Sequence, residues 1–375
     1  DLEGFRAQNW KIETEGVVFS NAGGRDLLVS EKGRTLPDRI KVSVTPAPSD
    51  FRKDYDPFIS MGDGGVLFYT GHFIPLTDDQ RRLPARLTVV PSPGAAVSAF
   101  GETKDKFEDW ESPYNHPAFI YVGKTNAATS EAMSAITDSA APAWIVAELA
   151  GFAPAIANAL HQLLERALPA PPNVFVAMGD LSEEGRLSYS GDALPGQFQM
   201  TLAGGAWKAA SVEAVGVLRR STAHEAAHLW QAATRPKSDA VPGWIHEGGA
   251  NALAAEALVA AGYWSKSERD ADFAAARAQC ERTLRQLSLQ RAESEGLWDG
   301  VYACGQVVNV AAAGKKGAAS FWSEFVGRTA RTGYDEADFL ALAEERAGPD
   351  VARAIRDLAR INDARPDLVI DRMLP

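Results

Sequence analysis

Residues 221–256 read STAHEAAHLW QAATRPKSDA VPGWIHEGGA NALAAE, and this stretch sets the interpretation of the whole chain. It contains an H-E-x-x-H pattern at His224, Glu225 and His228, among apolar residues that recur with helical spacing. Residues four apart lie on one face of a helix, about one turn from each other, so His224 and His228 can bind one metal ion together. Glu225 is rotated by about 100° from His224, which is where a general base should stand beside the metal.

A third ligand is expected from a second helix after a loop that contains proline and glycine. Glu247 follows His228 after eighteen intervening residues. His246 is the alternative ligand, and because neighbouring residues differ by about 100° around a helix, only one of the two can face the metal. Glu247 is preferred, since Asn251 then lies one turn further on the same face and can hydrogen-bond a ligand imidazole. Three protein ligands with an open fourth position predict a Zn²⁺ ion that activates water.

Composition limits the classes of partner. The chain has 375 residues, 46% of them hydrophobic, with 38 basic and 49 acidic residues and a net charge of −11. The sequence contains no dense cluster of Lys or Arg, so nucleic acid is not expected as a partner. The most apolar stretch, residues 141–170, is interrupted by Glu148, Gly151 and Pro154, which predicts buried helices instead of a transmembrane segment.

The pattern of the chain changes near residue 125. Before it, short apolar runs such as 66–69 and 119–122 alternate with breakers such as 62–65, which predicts a β-rich N-terminal domain over 1–125. After it, Ala-rich segments with helical periodicity predict a mostly helical domain over 126–375. The expected fold class is therefore α+β, with two domains.

Two strand-like runs, at 174–178 and 198–203, precede the helix predicted to carry His224 and His228, and a polar loop lies between them. The second run leads into Gly204 and Gly205, and we expect it to form an open sheet edge at which these glycines and Trp207 hold an extended peptide. An ordinary interior strand is the alternative at this point.

The two cysteines, Cys280 and Cys304, either pair across adjacent helices in an oxidising compartment or remain buried thiols. The chain begins at Asp1 without a Met or an apolar leader, which fits a trimmed chain or an exported one whose signal has been removed. Export to the periplasm or the medium is slightly favoured over a cytoplasmic location.

Residues 221–256, here called the metal stretch, resemble the gluzincin metallopeptidases, and within them the aminopeptidase-N and leukotriene-A4-hydrolase-like family with its glycyl-aminopeptidase relatives. The resemblance is carried by H-E-A-A-H-L-W at 224–230, by the eighteen-residue gap, and by W-I-H-E-G-G-A at 244–250, which is similar to the family's W-L-N-E-G-F-A. It covers approximately residues 170–350. It implies a thermolysin-like zinc metallopeptidase domain, Zn²⁺ as cofactor, and a peptide or small molecule as substrate.

The resemblance extends to one further catalytic residue. The family has a tyrosine in a Y-E-K-G-A motif beyond the glutamate ligand, and here Y-A-C-G-Q begins with Tyr302, fifty-five residues beyond Glu247. This match implies that Tyr302 donates a hydrogen bond to the oxyanion of the tetrahedral intermediate.

One departure from the family bears on specificity. The family's aminopeptidases bind the free amine of the substrate through the glutamate of a G-x-M-E-N motif, whereas residues 202–208 here contain no acidic residue. We therefore expect a zinc-dependent peptide hydrolase in which the family's amine-binding glutamate is missing, and this leaves open whether it acts as an aminopeptidase. A non-catalytic scaffold and a zinc hydrolase of non-peptide substrates are the alternatives.

Overall fold

The computed structural model describes residues 5–22, 25–31, 33, 35–47, 55–76, 85–114, 116–125, 127–130, 133–238, 240–360 and 365–374. The chain divides into two compact units. The first comprises Asp1–Ala127 with Asp138–Ala140, and the second comprises Ala128–Thr137 with Ala141–Pro375.

The first unit is built mainly from antiparallel strands. These strands are formed by the short apolar runs that lie between glycine- and proline-containing turns. Its elements are α1 (Phe5–Asn9), β1 (Trp10–Ile12), β2 (Val17–Ala22), β3 (Arg25–Ser30), β4 (Val42–Val44), β5 (Phe58–Ser60), β6 (Val66–Tyr69), β7 (Leu87–Val89), β8 (Ala96–Ala99), β9 (Glu102–Lys104), β10 (Phe107–Trp110) and β11 (Phe119–Gly123). Its largest described sheet has the order β5-β6-β11-β8-β9, and the pairs β1-β4, β2-β3 and β7-β10 form smaller sheets. Phe68, Val97 and Ile120 form part of its buried core.

The second unit begins with a mixed sheet that precedes and partly covers the metal helix. Its strands are β12 (Ala128–Thr129), β13 (Ser134–Thr137), β14 (Asn173–Met178), β15 (Ser188–Leu194) and β16 (Gln197–Ala203). They are ordered β12-β13-β14-β16-β15, with β13, β14 and β16 parallel and β15 antiparallel to β16.

This order corrects one prediction. The strand expected at the open edge, residues 198–203, belongs to β16 and lies between β14 and β15. The edge strand beside β16 is β15, which occupies the stretch predicted from the sequence to be a polar loop. Its Ser, Gly and Asp residues weaken the alternation that normally marks a strand, and its identity depends on pairing with β16.

Helices form the rest of the second unit. The bounds are α2 (Ala143–Leu164), α3 (Val212–Gln231), α4 (Gly243–Ala260), α5 (Lys266–Leu284), α6 (Leu289–Ser294), α7 (Trp298–Ala313), α8 (Ala318–Thr329), α9 (Glu336–Ala347), α10 (Pro349–Arg360) and α11 (Pro366–Met373). The predicted α+β class, a β-rich part followed by a mostly helical one, is confirmed.

Among the described residues, α2 is long and apolar enough to cross a membrane by length and composition. Leu149, Phe152, Ile156 and Leu160 along it are buried in the core of the second unit. Such an apolar face packed inside a unit is typical of a core helix, as the sequence predicts for this stretch.

Residues at the N-termini of α3 and α4, and a close glycine contact, determine where these two ligand-bearing helices begin and how α7 packs against them. Ser211 caps α3 by accepting a hydrogen bond from Ala214 N, and α4 begins immediately after Pro242. Gly248 then allows α7 to approach α4 closely, because a Cβ at Gly248 would lie 2.0 Å from the carbonyl carbon of Gly305. This contact brings α7, and Tyr302 on it, against the metal helices.

A disulfide joins Cys280 on α5 to Cys304 on α7. The structure therefore has the pair, one of the two alternatives that the sequence leaves open. Both residues are fully buried, and the bond ties α5 to the helix that carries Tyr302.

Candidate metal centre

Three side chains from α3 and α4 converge on one point of the second unit. His224 Nε2 lies 3.1 Å from His228 Nε2, and Glu247 Oε2 lies 3.2 and 3.3 Å from these two nitrogens. Donor atoms about 2.0–2.1 Å from a tetrahedral zinc lie about 3.3 Å from one another. Two imidazoles and one carboxylate with these separations fit Zn²⁺.

The orientation of His228 depends on Gln231, a residue that was not predicted from the sequence. Gln231 Nε2 donates to the backbone carbonyl of His246 at 3.0 Å, so its Oε1 faces His228 Nδ1 at 2.7 Å. An amide oxygen only accepts, and His228 must therefore carry its proton on Nδ1, which leaves Nε2 for the metal. Gln231 is completely buried and follows His228 by three residues on the same helix, a spacing that could have pointed to it.

Asn251 has the corresponding position beside the other imidazole. Its Oδ1 lies 2.9 Å from His224 Nδ1, and its Nδ2 lies 3.5 Å from the backbone oxygen of Tyr302. It thus connects a ligand on α3 with the backbone of α7, from its own place on α4.

Glu225 is buried, with 5% of its surface exposed. Burial raises the pKa of Glu225 to about 8, and the negative charges of Glu247 and Asp192 act in the same direction against the lowering effect of His228. A carboxyl group with a pKa near neutrality can both take up and release a proton, as a general acid–base catalyst does.

Glu247 and His246 differ in the way that the helical geometry predicts. Burial raises the pKa of Glu247, but the adjacent His228 and His224 outweigh this effect and hold it well below the usual value. His246 instead stacks on His228, with ring centroids 4.5 Å apart, and burial lowers its pKa to about 3. The structure places Glu247, not His246, beside both imidazoles.

Tyr302 reaches the same site from α7. Its ring centroid lies 5.6 Å from that of His224, in an edge-on arrangement. Burial raises the pKa of Tyr302, as do the negative charges of Glu247 and Glu225. The phenol therefore keeps its proton at neutral pH and is available as a hydrogen-bond donor.

The edge strand β15 passes over Glu225. A Cβ at Gly191 would lie 2.4 Å from Glu225 Oε1, so this position of the strand faces the base. Because side chains alternate along a strand, Tyr189 and Ala193 lie on the same face, whereas Asp192 lies on the opposite face and accepts a hydrogen bond from Gln199 Nε2 at 2.6 Å. The face of Ser188–Leu194 toward Glu225 thus carries no charge.

The predicted substrate-binding residues 204, 205 and 207 do not lie on this edge. Trp207 is completely buried, and its indole N–H donates to the backbone oxygen of Ser188 at 2.9 Å. Gly204 N and Gly205 N donate to the backbone oxygens of residues 180 and 183. Their role in holding an extended peptide is therefore corrected, because their donors serve the loop before β15 instead.

By sequence, the chain matches no protein-family model and no curated protein. By structure, it is similar to an aminopeptidase N family protein from Idiomarina loihiensis, with 12% identity and a TM-score of 0.67 over 95% of this chain and 67% of that chain. An M1 zinc metallopeptidase from Deinococcus radiodurans is 16% identical, with a TM-score of 0.55 over 95% of this chain and 84% of that one. Yeast leukotriene-A4 hydrolase is 13% identical, with a TM-score of 0.56 over 95% and 60%.

At such identities the similarity is one of fold. It extends over 95% of this chain in each of the three comparisons. The resemblance inferred from the metal stretch is confirmed at this level. With a β-rich first unit and a mostly helical second one, the chain has the two-domain fold of the M1 zinc metallopeptidases, shared with aminopeptidase N and leukotriene-A4 hydrolase relatives.

Proposed function

We propose that this chain is a zinc-dependent peptide hydrolase of the aminopeptidase-N and leukotriene-A4-hydrolase-like family. The observation that carries the proposal is the convergence of His224, His228 and Glu247, whose ligand atoms lie within 4.8 Å of one another. Glu225 is buried next to them, and the edge strand passes over it. A metal site with a buried carboxylate beside the end strand of a sheet is suited to the hydrolysis of an extended chain.

His224, His228 and Glu247 would hold the zinc ion. When bound, zinc lowers the pKa of a water from about 15.7 to about 7 and polarises a carbonyl group. Glu225 takes the proton of the attacking water and passes it to the leaving amine. Tyr302 donates a hydrogen bond to the oxyanion, and loss of one such donor costs about 2.7–4 kcal/mol of transition-state stabilisation.

The edge strand supports a substrate without a free amino terminus. In the described part of the second unit, β15 is the last strand of its sheet, and no further described strand pairs with its outer edge. Tyr189, Gly191 and Ala193 face the base and carry no carboxylate that could bind an ammonium group. We propose that the site holds a peptide through its backbone and does not depend on a terminal amine.

Zinc analysis with two variants tests the mechanism. We expect Glu225→Gln to retain one zinc ion and to lose turnover, because the amide cannot accept the proton. Glu247→Ala should instead weaken zinc retention, since it removes a ligand. Glu213→Gln, an exposed change in the first turn of the same helix, is the control and should leave both properties unchanged. Undiminished hydrolysis by Glu225→Gln would contradict the mechanism.

A peptide library with free and blocked amino termini tests the substrate class. We expect cleavage of blocked peptides at rates comparable with free ones. A strict requirement for a free amine would contradict the proposed role of β15 in holding the peptide.

The two alternatives have distinct outcomes. A scaffold protein would bind peptide without cleaving it, although a scaffold has no use for a buried carboxylate such as Glu225, whose pKa is raised by burial. A hydrolase of non-peptide substrates would bind zinc, cleave neither library and hydrolyse a small-molecule ester or epoxide.

A further inference from the structure

Arg220 lies one turn before His224 on α3, and its guanidinium contacts polar side chains from three other helices. Nε and Nη2 donate to the two carboxylate oxygens of Asp272 on α5, at 3.0 and 3.4 Å, and Nη1 donates to Asn251 Oδ1 on α4 at 3.0 Å. Gln306 on α7 accepts from Nη2 at 3.3 Å and donates to Asp272 Oδ2 at 2.7 Å. The ion pair is partly enclosed, with 22% of each side chain exposed.

The contact between Arg220 and Asn251 determines which end of the amide faces the metal ligand. An arginine can only donate, so Asn251 must turn its oxygen toward Arg220. The same oxygen lies 2.9 Å from His224 Nδ1, which must therefore carry the proton. The lone pair of His224 is then on Nε2, the atom that faces His228 and Glu247.

Without Arg220, the contact that still favours this orientation of the Asn251 amide is the long one from Nδ2 to the backbone oxygen of Tyr302, at 3.5 Å. An amide turned by about 180° would present its NH₂ group to His224 Nδ1 and favour the tautomer with the proton on Nε2. That tautomer cannot bind a metal through Nε2.

We propose that Arg220, held in place by Asp272, is a positioning residue of the metal centre. It fixes the amide of Asn251 and, through it, the tautomer and ring orientation of His224. The inference rests on the proposed function, because it concerns the binding of zinc. Groups that orient a metal ligand typically change metal affinity by about 10- to 100-fold when they are lost.

The preceding residue is a matched control. Arg219 also forms an ion pair with one carboxylate from another helix, since its Nε donates to Glu148 Oε1 on α2 at 2.7 Å. Its guanidinium also lies 4.8 Å from the ring centroid of Tyr263. These contacts resemble those of Arg220 in kind, but they lead to α2 instead of to the metal ligands.

The test is the zinc affinity of the full chain, measured by competition with a chromophoric chelator, together with thermal unfolding of the chelator-treated proteins. We expect Arg219→Met to bind zinc within about twofold of wild type and Arg220→Met to bind it about tenfold more weakly. Wild-type affinity in a folded Arg220→Met protein would overturn the inference. A wild-type chain that binds no zinc would instead contradict the proposed function, so the two failures are distinguishable.

A double variant separates positioning from general loosening. Because Arg220 acts through Asn251, adding Arg220→Met to Asn251→Ala should weaken zinc binding by no more than about twofold beyond Asn251→Ala alone. If the double variant instead lost zinc affinity by the product of the two single-variant losses, Arg220 would act independently of Asn251, and the inference would be overturned.

If Arg220→Met does not fold, Arg220→Lys replaces it in both measurements. An ammonium group retains the ion pair with Asp272 but cannot reproduce the planar set of contacts to Asp272, Asn251 and Gln306. We expect its zinc affinity to fall by about threefold or more, whereas Arg219→Lys should keep the wild-type value. Equal affinities in these two variants would overturn the inference.

Discussion

At the scale of single residues, Gly191 occupies a position that only glycine can fill without moving the base. Its Cβ would lie 2.4 Å from Oε1 and 2.7 Å from Cδ of Glu225. Gly191→Ala must therefore displace either the strand or the carboxylate. Misplacement of a catalytic group by about 1 Å costs about 100-fold in rate, so we expect a fall in kcat of that order with zinc content unchanged.

Gly216→Ala is the control for this change, because Gly216 lies on the metal helix with nothing within 4 Å of its added Cβ. It should keep full activity and stabilise α3 by about 0.5–1 kcal/mol. Steady-state kinetics and metal analysis of both proteins decide the matter, and normal turnover in Gly191→Ala would contradict the proposed place of β15 over the base.

Asp63 stabilises a turn in the first unit. Its Oδ2 accepts hydrogen bonds from Tyr121 Oη at 2.5 Å, Lys124 N at 2.8 Å and Thr125 N at 2.9 Å, and its Oδ1 accepts one from Gly65 N at 2.8 Å. Burial raises the pKa of Asp63, but these hydrogen bonds outweigh it and lower the pKa to about 2.

A pH dependence of stability follows from the depressed pKa of Asp63. The folded pKa lies below the unfolded one, so the stabilisation is complete above the unfolded value and is lost as the pH falls through about 2. We expect Asp63→Asn to lower the free energy of unfolding by about 1 kcal/mol at pH 7, after allowance for solvent screening, and by less near pH 2. Urea unfolding across this range, with the exposed Asp105→Asn as control, measures the difference. A constant difference at all pH values would contradict the assignment.

At the scale of elements, the contact between α4 and α7 connects the metal ligand Glu247 with Tyr302. Gly248 and Gly305 allow the two backbones to approach, and the Cys280–Cys304 disulfide holds α7 against α5 on another side. The helix that carries Tyr302 is therefore held by a close backbone contact and by a covalent bond.

Loss of the disulfide should lower the stability of the second unit. The two cysteines are 24 residues apart in the sequence, and closing a loop of this length stabilises a protein by about 3 kcal/mol. We expect the double variant Cys280→Ala/Cys304→Ala to show this loss in urea unfolding relative to the oxidised wild type. Reductant should have no effect on the variant. A loss below about 1 kcal/mol would contradict the prediction.

At the scale of the whole molecule, we propose two domains with a boundary near residue 125, the first over 1–125 and the second over 126–375. The metal ligands, Glu225, Tyr302 and β15 all belong to the second compact unit. That unit also contains β13, in which Ile136 is completely buried and which pairs with β14, so it must begin before residue 134.

A fragment of residues 128–375 tests this division. Because all three ligands and the groups that orient them lie within it, we expect it to fold and to bind zinc within about threefold of the full chain. A fragment that begins at residue 138 lacks β13 and should be markedly less stable. Circular dichroism and chelator competition provide the measurements. Failure of the longer fragment to fold would contradict the domain proposal.

The features that depend on local spacing could be predicted from the sequence alone. Helical periodicity located α3, α4 and α8, and the i, i+4 step placed His224 and His228 on one face. The same angular argument separated Glu247 from His246 as the residue beside both imidazoles, because each of these relations depends on positions within a single helix.

Contacts between residues on different elements could be assigned only from the three-dimensional structure. The edge strand is β15 instead of residues 198–203, since strand order is a matter of pairing between distant segments. The burial of Trp207 also depends on contacts between distant segments, and the pairing of Cys280 with Cys304 depends on the packing of α5 against α7. The contact of Arg220 with Asp272 joins residues 52 positions apart, a relation that no local pattern in one sequence encodes.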